Sequence, residues 1–409
     1  MNQSKTKTSV LTLAIVVAAL GYFVDIYDLL LFGIIRKPSL ISLGLTPEQV
    51  LTEGEKIISI QMIGLLLGGF IWGIMGDKKG RLSVLFGSIF LYSIANIANG
   101  MVINVSQYAW CRFIAGIGLA GELGAGITLV SELVPKERRG IATSLVAGVG
   151  LTGAVFAYFM KQTVHDWRWC YYIGGGMGFL LLLLRVSVFE SGLYTSVKDS
   201  EVKKGNLFML FNRMERFMRY LKCIAIGLPT WFVIGILISF SDKFATVMGI
   251  KESVDPGKSI MIAYVGISIG DILIGFVSQW LKSRKKALYI FYGLTVLSII
   301  LYFNQINGTA FGMYFICGLL GFSTGFWAIF VTMGAEQFGT NLRATAATTI
   351  PNIVRGTLPL IILLFKTLRE ATDYLTGASI TGAICVLLGL TAVLFSKETF
   401  GKDLDFIEY

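Results

Sequence analysis

Two carboxylates three residues apart inside an apolar run set the chemistry of this chain. The stretch GYFVDIYDLLLFG (Gly21 to Gly33) places Asp25 and Asp28 in a segment long enough to cross a bilayer. A charge at that depth costs about 3 kcal/mol or more unless it is paired, neutralised or wetted, and marks a functional site by default. Residues three apart share a helix face. Asp25, Asp28 and Tyr22 are therefore expected to look into one cavity, with Tyr27 as a further wall.

Four more charges fall inside apolar spans: Arg112, Glu122, Asp271 and Arg355. At a rise of ~1.5 Å per residue, Asp28 and Arg112 lie ~9–10 Å to the outer side of their spans' midpoints. Their depths match, so Arg112 is expected to pair with Asp28, Asp25 or both. Asp271 and Arg355 fall near their midpoints and are expected to pair with each other. Arg185 lies close enough to a helix end to snorkel. The carboxylates thus outnumber the arginines, which stay protonated. Low dielectric favours a neutral acid and a neighbouring arginine favours the anion, so at least one carboxylate is expected to load and release protons. Asp25 and Asp28 come first for that role, Glu122 next. The competing reading is that the ion pairs merely hold helices together. The planar fork of Arg355 suits an anionic substrate, and Trp231 and Trp327 join the tyrosines as candidate walls of the cavity, where Asp271 would also lie.

The elements that must position these groups are membrane helices. The chain is 55% hydrophobic, only 15% charged, with a mean hydropathy of +0.72. Soluble domains carry roughly 25% charged residues, so lipid has to cover this surface. The net charge of +10 is not a nucleic-acid signature, because the basic residues sit in short loops between apolar spans. Placing both termini in the cytoplasm puts roughly two-thirds of the lysines and arginines on that side, as the positive-inside bias requires. The first apolar run is too long for a cleaved signal and is expected to remain as the first span. Cys111, Cys170, Cys223, Cys317 and Cys385 show no metal or redox spacing, and His165 lies in a loop. No metal cluster, nucleophile pair or GxxxxGK[ST] phosphate loop is found, which argues against an enzyme and against an ATP-driven pump. The energy source left is a proton gradient, with no bound cofactor.

Apolar windows recur about twelve times. They divide the chain into an N-terminal six-helix bundle (1–189), a linker with an amphipathic helix (190–221), a C-terminal six-helix bundle (222–396) and a tail (397–409). The halves read as diverged copies: Glu132 and Arg139 recur at the same spacing as Glu336 and Arg343, and IGLLLGGF recurs as IGDILIGF. Parallel repeats around a central site suit a carrier that rocks one half against the other. Asp77, Arg81, Glu132, Arg139, Glu336 and Arg343 at the cytoplasmic helix ends are expected to form ion pairs that seal one state.

The loop GDKKGR (Gly76 to Arg81) and Arg112 with Gly116 and Gly118 resemble the signatures of the major facilitator superfamily. The acidic–aromatic pattern of the first span, GLAGELG, SELVPKERRG, AEQFGTNLRAT and the pair Arg355–Gly356 are similar to metabolite:proton and organic-acid:proton symporters. FESG near Glu190 and ETFGKDL near Glu398 resemble sugar-porter signatures. The second-half counterpart of the signature loop, KSRKK, lacks the Gly–Arg ending, so the gate is not expected to be symmetric. The resemblance implies an all-α integral membrane fold of twelve helices in two bundles, helices 1 and 4 lining a central cavity, and alternating access by a monomer in the inner membrane. The absence of the Gly–Pro step typical of drug antiporters favours symport over export. A proton-coupled symporter of a small organic metabolite, a carboxylate or other anion, is the reading reached. A sugar-type facilitator, a carrier or exporter of a larger anionic chelate such as a siderophore, and a non-transporting nutrient sensor stand as alternatives.

Overall fold

The computed structural model describes residues 2–185 and 207–408, which contain helices and no strand. In chain order these are α1 (Asn2–Ser42), α2 (Pro47–Lys79), α3 (Arg81–Gly100), α4 (Val105–Leu119), α5 (Glu122–Leu133), α6 (Arg139–Leu151), α7 (Gly153–Thr163) and α8 (Trp167–Arg185) in the first half. The second half has a short 3-10 turn (Leu207–Leu210), α9 (Met214–Phe232), a π-helical turn (Val233–Ile238), α10 (Ser241–Val247), α11 (Pro256–Trp280) and α12 (Arg284–Phe303). It ends with α13 (Ala310–Ser323), α14 (Trp327–Gln337), α15 (Arg343–Gly356), α16 (Leu358–Ala371) and α17 (Tyr374–Phe395).

Eleven helical stretches are long and apolar enough to cross a membrane. The 19-residue α8, ~28 Å long at the helical rise, adds a twelfth. Polar caps start the spans at the end away from the termini. Thr46 and Gln49 cap each other's backbone ahead of Pro47, Asn104 accepts from the Gln107 N–H at 2.9 Å, and Asp373 caps α17. Each satisfies N–H groups that the first helical turn leaves open.

Burial separates two kinds of span. Val105–Leu133 is 83% buried, whereas Arg284–Phe303 is only 39% buried. Phe311, Leu183 and Trp280 lie on the outside, more than 70% exposed; only hydrocarbon makes such a surface tolerable. The exposed faces are lipid-facing.

Several inner spans are broken halfway. α4 gives way to α5 at Ala120–Gly121, α6 to α7 at Thr152, α13 to α14 at Thr324–Phe326, and α15 to α16 at Thr357. Pro359 lies in the first turn of α16, where its missing N–H costs nothing. Pro229 lies inside α9, four residues before the π turn. Irregular backbone at membrane depth is tolerated only inside protein or beside a cavity, so these breaks point at the centre.

The repeat is visible in the packing. α2 meets α4 with Gly64 and Gly116 at the contact, and α11 meets α13 through Gly266, Gly318 and Gly321. The halves touch mainly through α2 with α15 and α6 with α11. One expectation is corrected here. The basic, apolar-alternating stretch after residue 206 is not a separate interfacial helix among the described residues. From Met214 it is the first part of α9, continuous with the seventh span, because its apolar face runs on unbroken into Cys223–Phe232. Residues 186–206, including the whole FESG motif, lie outside the described residues.

Candidate functional site

Asp28 and Arg112 form the deepest ion pair of the first half. Arg112 Nη1 and Nη2 each lie 3.1 Å from Asp28 Oδ1, Nη2 also donates to Asn96 Oδ1 at 2.7 Å, and the guanidinium sits 4.8 Å above the Tyr171 ring. Both side chains are fully buried. Of the partners open to Arg112, the structure selects Asp28; Asp25, also buried, is not one of its partners. A forked donor on a carboxylate, backed by an amide, stabilises both charges away from water.

The expectation that Asp25, Asp28 and Tyr22 share one cavity needs correcting. The residues of α1 that line the central cavity are Tyr22, Ile26 and Leu29, a stripe with four- and three-residue steps. Asp28 points instead into the first bundle, toward α4. Tyr27 is likewise not a wall: five residues from Tyr22 it lies on another face of α1, and its hydroxyl donates to the Cys170 carbonyl at 2.8 Å. Glu122 is buried at the start of α5, just after the helix break.

The central cavity is bounded by Tyr22, Trp231, Tyr264, Trp327 and Arg355, with Thr230 and Leu151 among the flanking side chains. Arg355 Nη2 lies 3.5 Å from the Tyr22 hydroxyl and Nη1 3.3 Å from Asn352 Oδ1. Its guanidinium is 5.6 Å from the centre of the Trp327 ring, which packs edge-on against Trp231 at 6.4 Å. The indole N–H groups of Trp231 and Trp327 and the Nε of Arg355 are buried without an acceptor. Buried donors left this way are costly and rare, and here three of them converge on one small space. The expected Asp271–Arg355 pair does not form. Asp271 accepts instead from the Ala328 N–H at 2.9 Å, at the start of α14, because the broken helix offers bare N–H groups nearer than the guanidinium. The cavity offers about 20 Å³, room for about one water molecule. A larger hollow of about 710 Å³ between α2 and α4 is lined by Gln49, Glu53, Lys56 and Trp110; it is open and shares no lining residue with the central cavity.

The end that carries the termini and the basic loops is sealed. Glu132 Oε1 accepts from Arg81 Nη2 at 2.9 Å and from Arg343 Nη1 at 2.8 Å, joining the two halves. Asp77 caps α15 across the same boundary, accepting from the Ala344 and Thr345 N–H groups at 3.0 and 2.8 Å; Arg81 Nη2 lies 3.7 Å from its Oδ1. Glu336 pairs with Arg284 at 3.0 Å. Arg139, expected in the ion-pair network, donates instead to the carbonyls of Ser131 and Lys402 at 2.7 and 2.9 Å, because Arg284 and Thr399 already occupy Glu336.

Sequence reasoning missed two contributors. Arg284 of the KSRKK loop does for Glu336 what Arg81 does for Glu132, although the loop lacks the Gly–Arg ending; the matching distance from each arginine to the next helix start was the available signal. The tail was the other. It lies across the sealed end: Arg343 donates to the Leu404 carbonyl, Thr340 N–H to the Phe406 carbonyl at 2.9 Å, and Glu408 pairs with Arg216 and Arg219 at 3.3 and 2.7 Å. Lys136 of the first half reaches Asp403 at 3.1 Å.

A fold of broken helices in two repeats around a buried cationic cavity can be compared with known proteins. The family model described as Major Facilitator Superfamily matches residues 11–356. The chain belongs to that superfamily. It is 26% identical to the niacin transporter NiaP of Acinetobacter baylyi over 96% of this chain and 95% of that protein. It is 26% identical to the sialic acid transporter NanX of Escherichia coli over 82% of each. The proton:xylose symporter XylE superposes with a TM-score of 0.81 over 98% of both chains at 17% identity, which speaks for the fold alone. As a superfamily member the protein is a multi-pass membrane transporter of small molecules and not an enzyme.

Proposed function

We propose that the protein is a proton-coupled symporter of a small organic anion, a carboxylate. The observation that carries this reading is the set of donors around the cavity. Among the described residues Arg355 has no carboxylate partner, and beside it the indole N–H groups of Trp231 and Trp327 have no acceptor. A bound carboxylate supplies the missing acceptors and a charge that the guanidinium fork matches. A neutral sugar would leave the guanidinium charge buried and uncompensated, which is costly. NanX is by name a sialic acid transporter and NiaP a niacin transporter, in keeping with this choice.

The proton side of the reading rests on the buried carboxylates Asp25, Asp28 and Glu122, with the proton gradient as energy source and no cofactor. Asp28 is bonded to Arg112, so taking a proton there releases the arginine, a change that alternating access can use. The sealed basic end is the cytoplasmic face, with both termini there, in the inner membrane. The protein works as a monomer.

Uptake of sialate, nicotinate and xylose into liposomes, with and without an imposed pH difference, tests the reading. Acid-driven accumulation of a carboxylate that Arg355→Gln abolishes is expected. Equal loss for a neutral solute, or accumulation indifferent to the pH difference, would overturn it.

A further inference from the structure

The break between α13 and α14 leaves a helix N-terminus at the centre of the membrane, and one buried acid of α11 sits against it. Phe326, the residue before α14, offers no side-chain cap. Asp271 takes the place of that cap from a neighbouring helix, its carboxylate facing the backbone N–H groups of Trp327 and Ala328, the latter at 2.9 Å. The contact is as close as backbones allow: a Cβ added at Gly325 would stand 2.6 Å from Gly270 Cα and 2.7 Å from Asp271 N. Tyr264 and Ile267 line the cavity, and Asp271 continues their helical stripe one turn further. It is fully buried, and its Oδ2 has no partner.

Among the described residues no cation forms an ion pair with it. The ionisable groups that face this region are Tyr22 and Asp25 from α1, Tyr264 from α11 itself, Tyr292 from α12, stacked on Phe326 at 5.2 Å, and Arg355 from α15. None forms an ion pair with Asp271. α6 presents Thr143, Ser144 and Gly148, the end of α13 presents Ser323, and the break after it Thr324; α7 and the π turn bring no ionisable side chain to it. The acidic residue further along α14, Glu336, is taken by Arg284. One oxygen of Asp271 is thus matched to a helix N-terminus, which favours the anion, and the other is bare in an apolar setting, which favours the acid.

We propose that Asp271 is a proton-loading residue of the transport cycle, and that its protonation is read by the anion site through Trp327, whose backbone it holds and whose indole packs beside Arg355. The inference deepens the symport reading and rests on it. A proton entering by the cavity adds to Oδ2 to form the O–H of a neutral acid and leaves from the same atom. While it is there, the N-terminus of α14 loses its compensating charge and Trp327 is free to shift against Arg355. Coupling of this kind is reciprocal: anion binding and proton loading at Asp271 change each other's affinity by one factor.

The test needs no substrate. Purified protein in nanodiscs is titrated from mildly alkaline to mildly acidic pH. Tryptophan fluorescence is followed, with the Trp327 contribution isolated by difference against Trp327→Phe, together with amide exchange of the segment holding Trp327 and Ala328, corrected for its intrinsic rate. A one-proton transition in the Trp327 signal, with several-fold faster exchange on the acid side, is expected in the wild type. It should vanish in Asp271→Asn, whose amide oxygen still accepts from Ala328, and move without vanishing in Asp271→Glu. The same transition in Asp271→Asn, or a flat wild-type trace, would overturn the proposal; the flat trace decides even if the asparagine variant does not fold. Failure of the symport reading looks different: wild-type uptake would ignore an imposed pH difference while the Trp327 transition still depended on Asp271.

Discussion

Arg343 of the second half donates to Glu132 of the first across 2.8 Å, with both side chains fully buried. This bond ties the two bundles at the sealed end, and Arg81 shares the same carboxylate oxygen. Removing one partner of a buried pair costs about 3–5 kcal/mol. Glu132→Gln strands two guanidiniums at once, so the sealed state should lose most of its population. A cysteine placed at Thr348, behind the seal, should then become accessible to a hydrophilic thiol reagent from the basic side. Unchanged labelling would show that the seal does not depend on Glu132.

Asp28→Asn leaves Arg112 buried beside Asn96 with no anion, and a loss of about 3–5 kcal/mol is expected for a pair broken in this way. The double variant Asp28→Asn/Arg112→Gln should be less destabilised than the sum of the two single changes, since each charge is costly only without the other. Thermal unfolding in detergent measures both. In liposomes Asp28→Asn should block substrate-driven proton movement and leave exchange intact. Unchanged proton movement in both Asp25→Asn and Asp28→Asn would remove these residues from the coupling role.

Gly124 lies where α5 crosses α15, and a Cβ there would run into the backbone and hydroxyl of Thr348. Gly124→Ala should therefore wedge the halves apart, open the basic end and reduce transport severely. Gly126, two residues on, meets only the Ala18 methyl at 3.7 Å. Gly126→Ala should be neutral and serves as the control in the same uptake assay.

Glu398 anchors the tail to the start of α12. Partial burial works to raise its pKa, but hydrogen bonds from the Ser283 hydroxyl and from the N–H groups of Phe400, Arg284 and Thr399 outweigh this and hold the carboxyl below its ordinary range. A depressed acid contributes stability that is present above its unfolded value of about 4.3 and is lost as pH falls through the lower folded value. Tail docking, followed by protease protection of residues after Phe395, should hardly change from neutral pH down to about pH 5 and fall only in stronger acid. In Glu398→Gln the protection should be lower throughout and lack that acid step.

Much of this arrangement was legible in the residues. The membrane class followed from composition, and the Asp28–Arg112 pair followed from equal depth, because the rise of a helix is fixed. Orientation about the helix axis was harder. Tyr22, Asp28 and Tyr27 sit within two turns of α1, yet only Tyr22 faces the cavity, because the choice of face depends on the neighbour each side packs against. Asp271 was misassigned to Arg355 for a related reason. The position of the break in the tenth span, which supplies competing N–H groups, is set by the Gly270–Gly325 contact, a pairing distant in sequence. The tail's place over the basic end depends on backbone carbonyls of Lys402, Leu404 and Phe406, and carbonyls are the same in every residue.

Beside the buried Glu132–Arg343 ion pair, hydrogen bonds join the halves: the Ala344 and Thr345 amides donate to Asp77, Asn352 to the Ala120 carbonyl at 2.8 Å and Thr332 to Thr143 at 2.8 Å. Each of these groups can exchange its protein partner for water: the neutral bonds are worth only about 0.5–1.5 kcal/mol over hydration, and those to the Asp77 carboxylate about 1.5–3 kcal/mol. Parting them wets polar surface. The plug can thus be drawn and replaced at every turnover, which a greasy contact of the same area would resist.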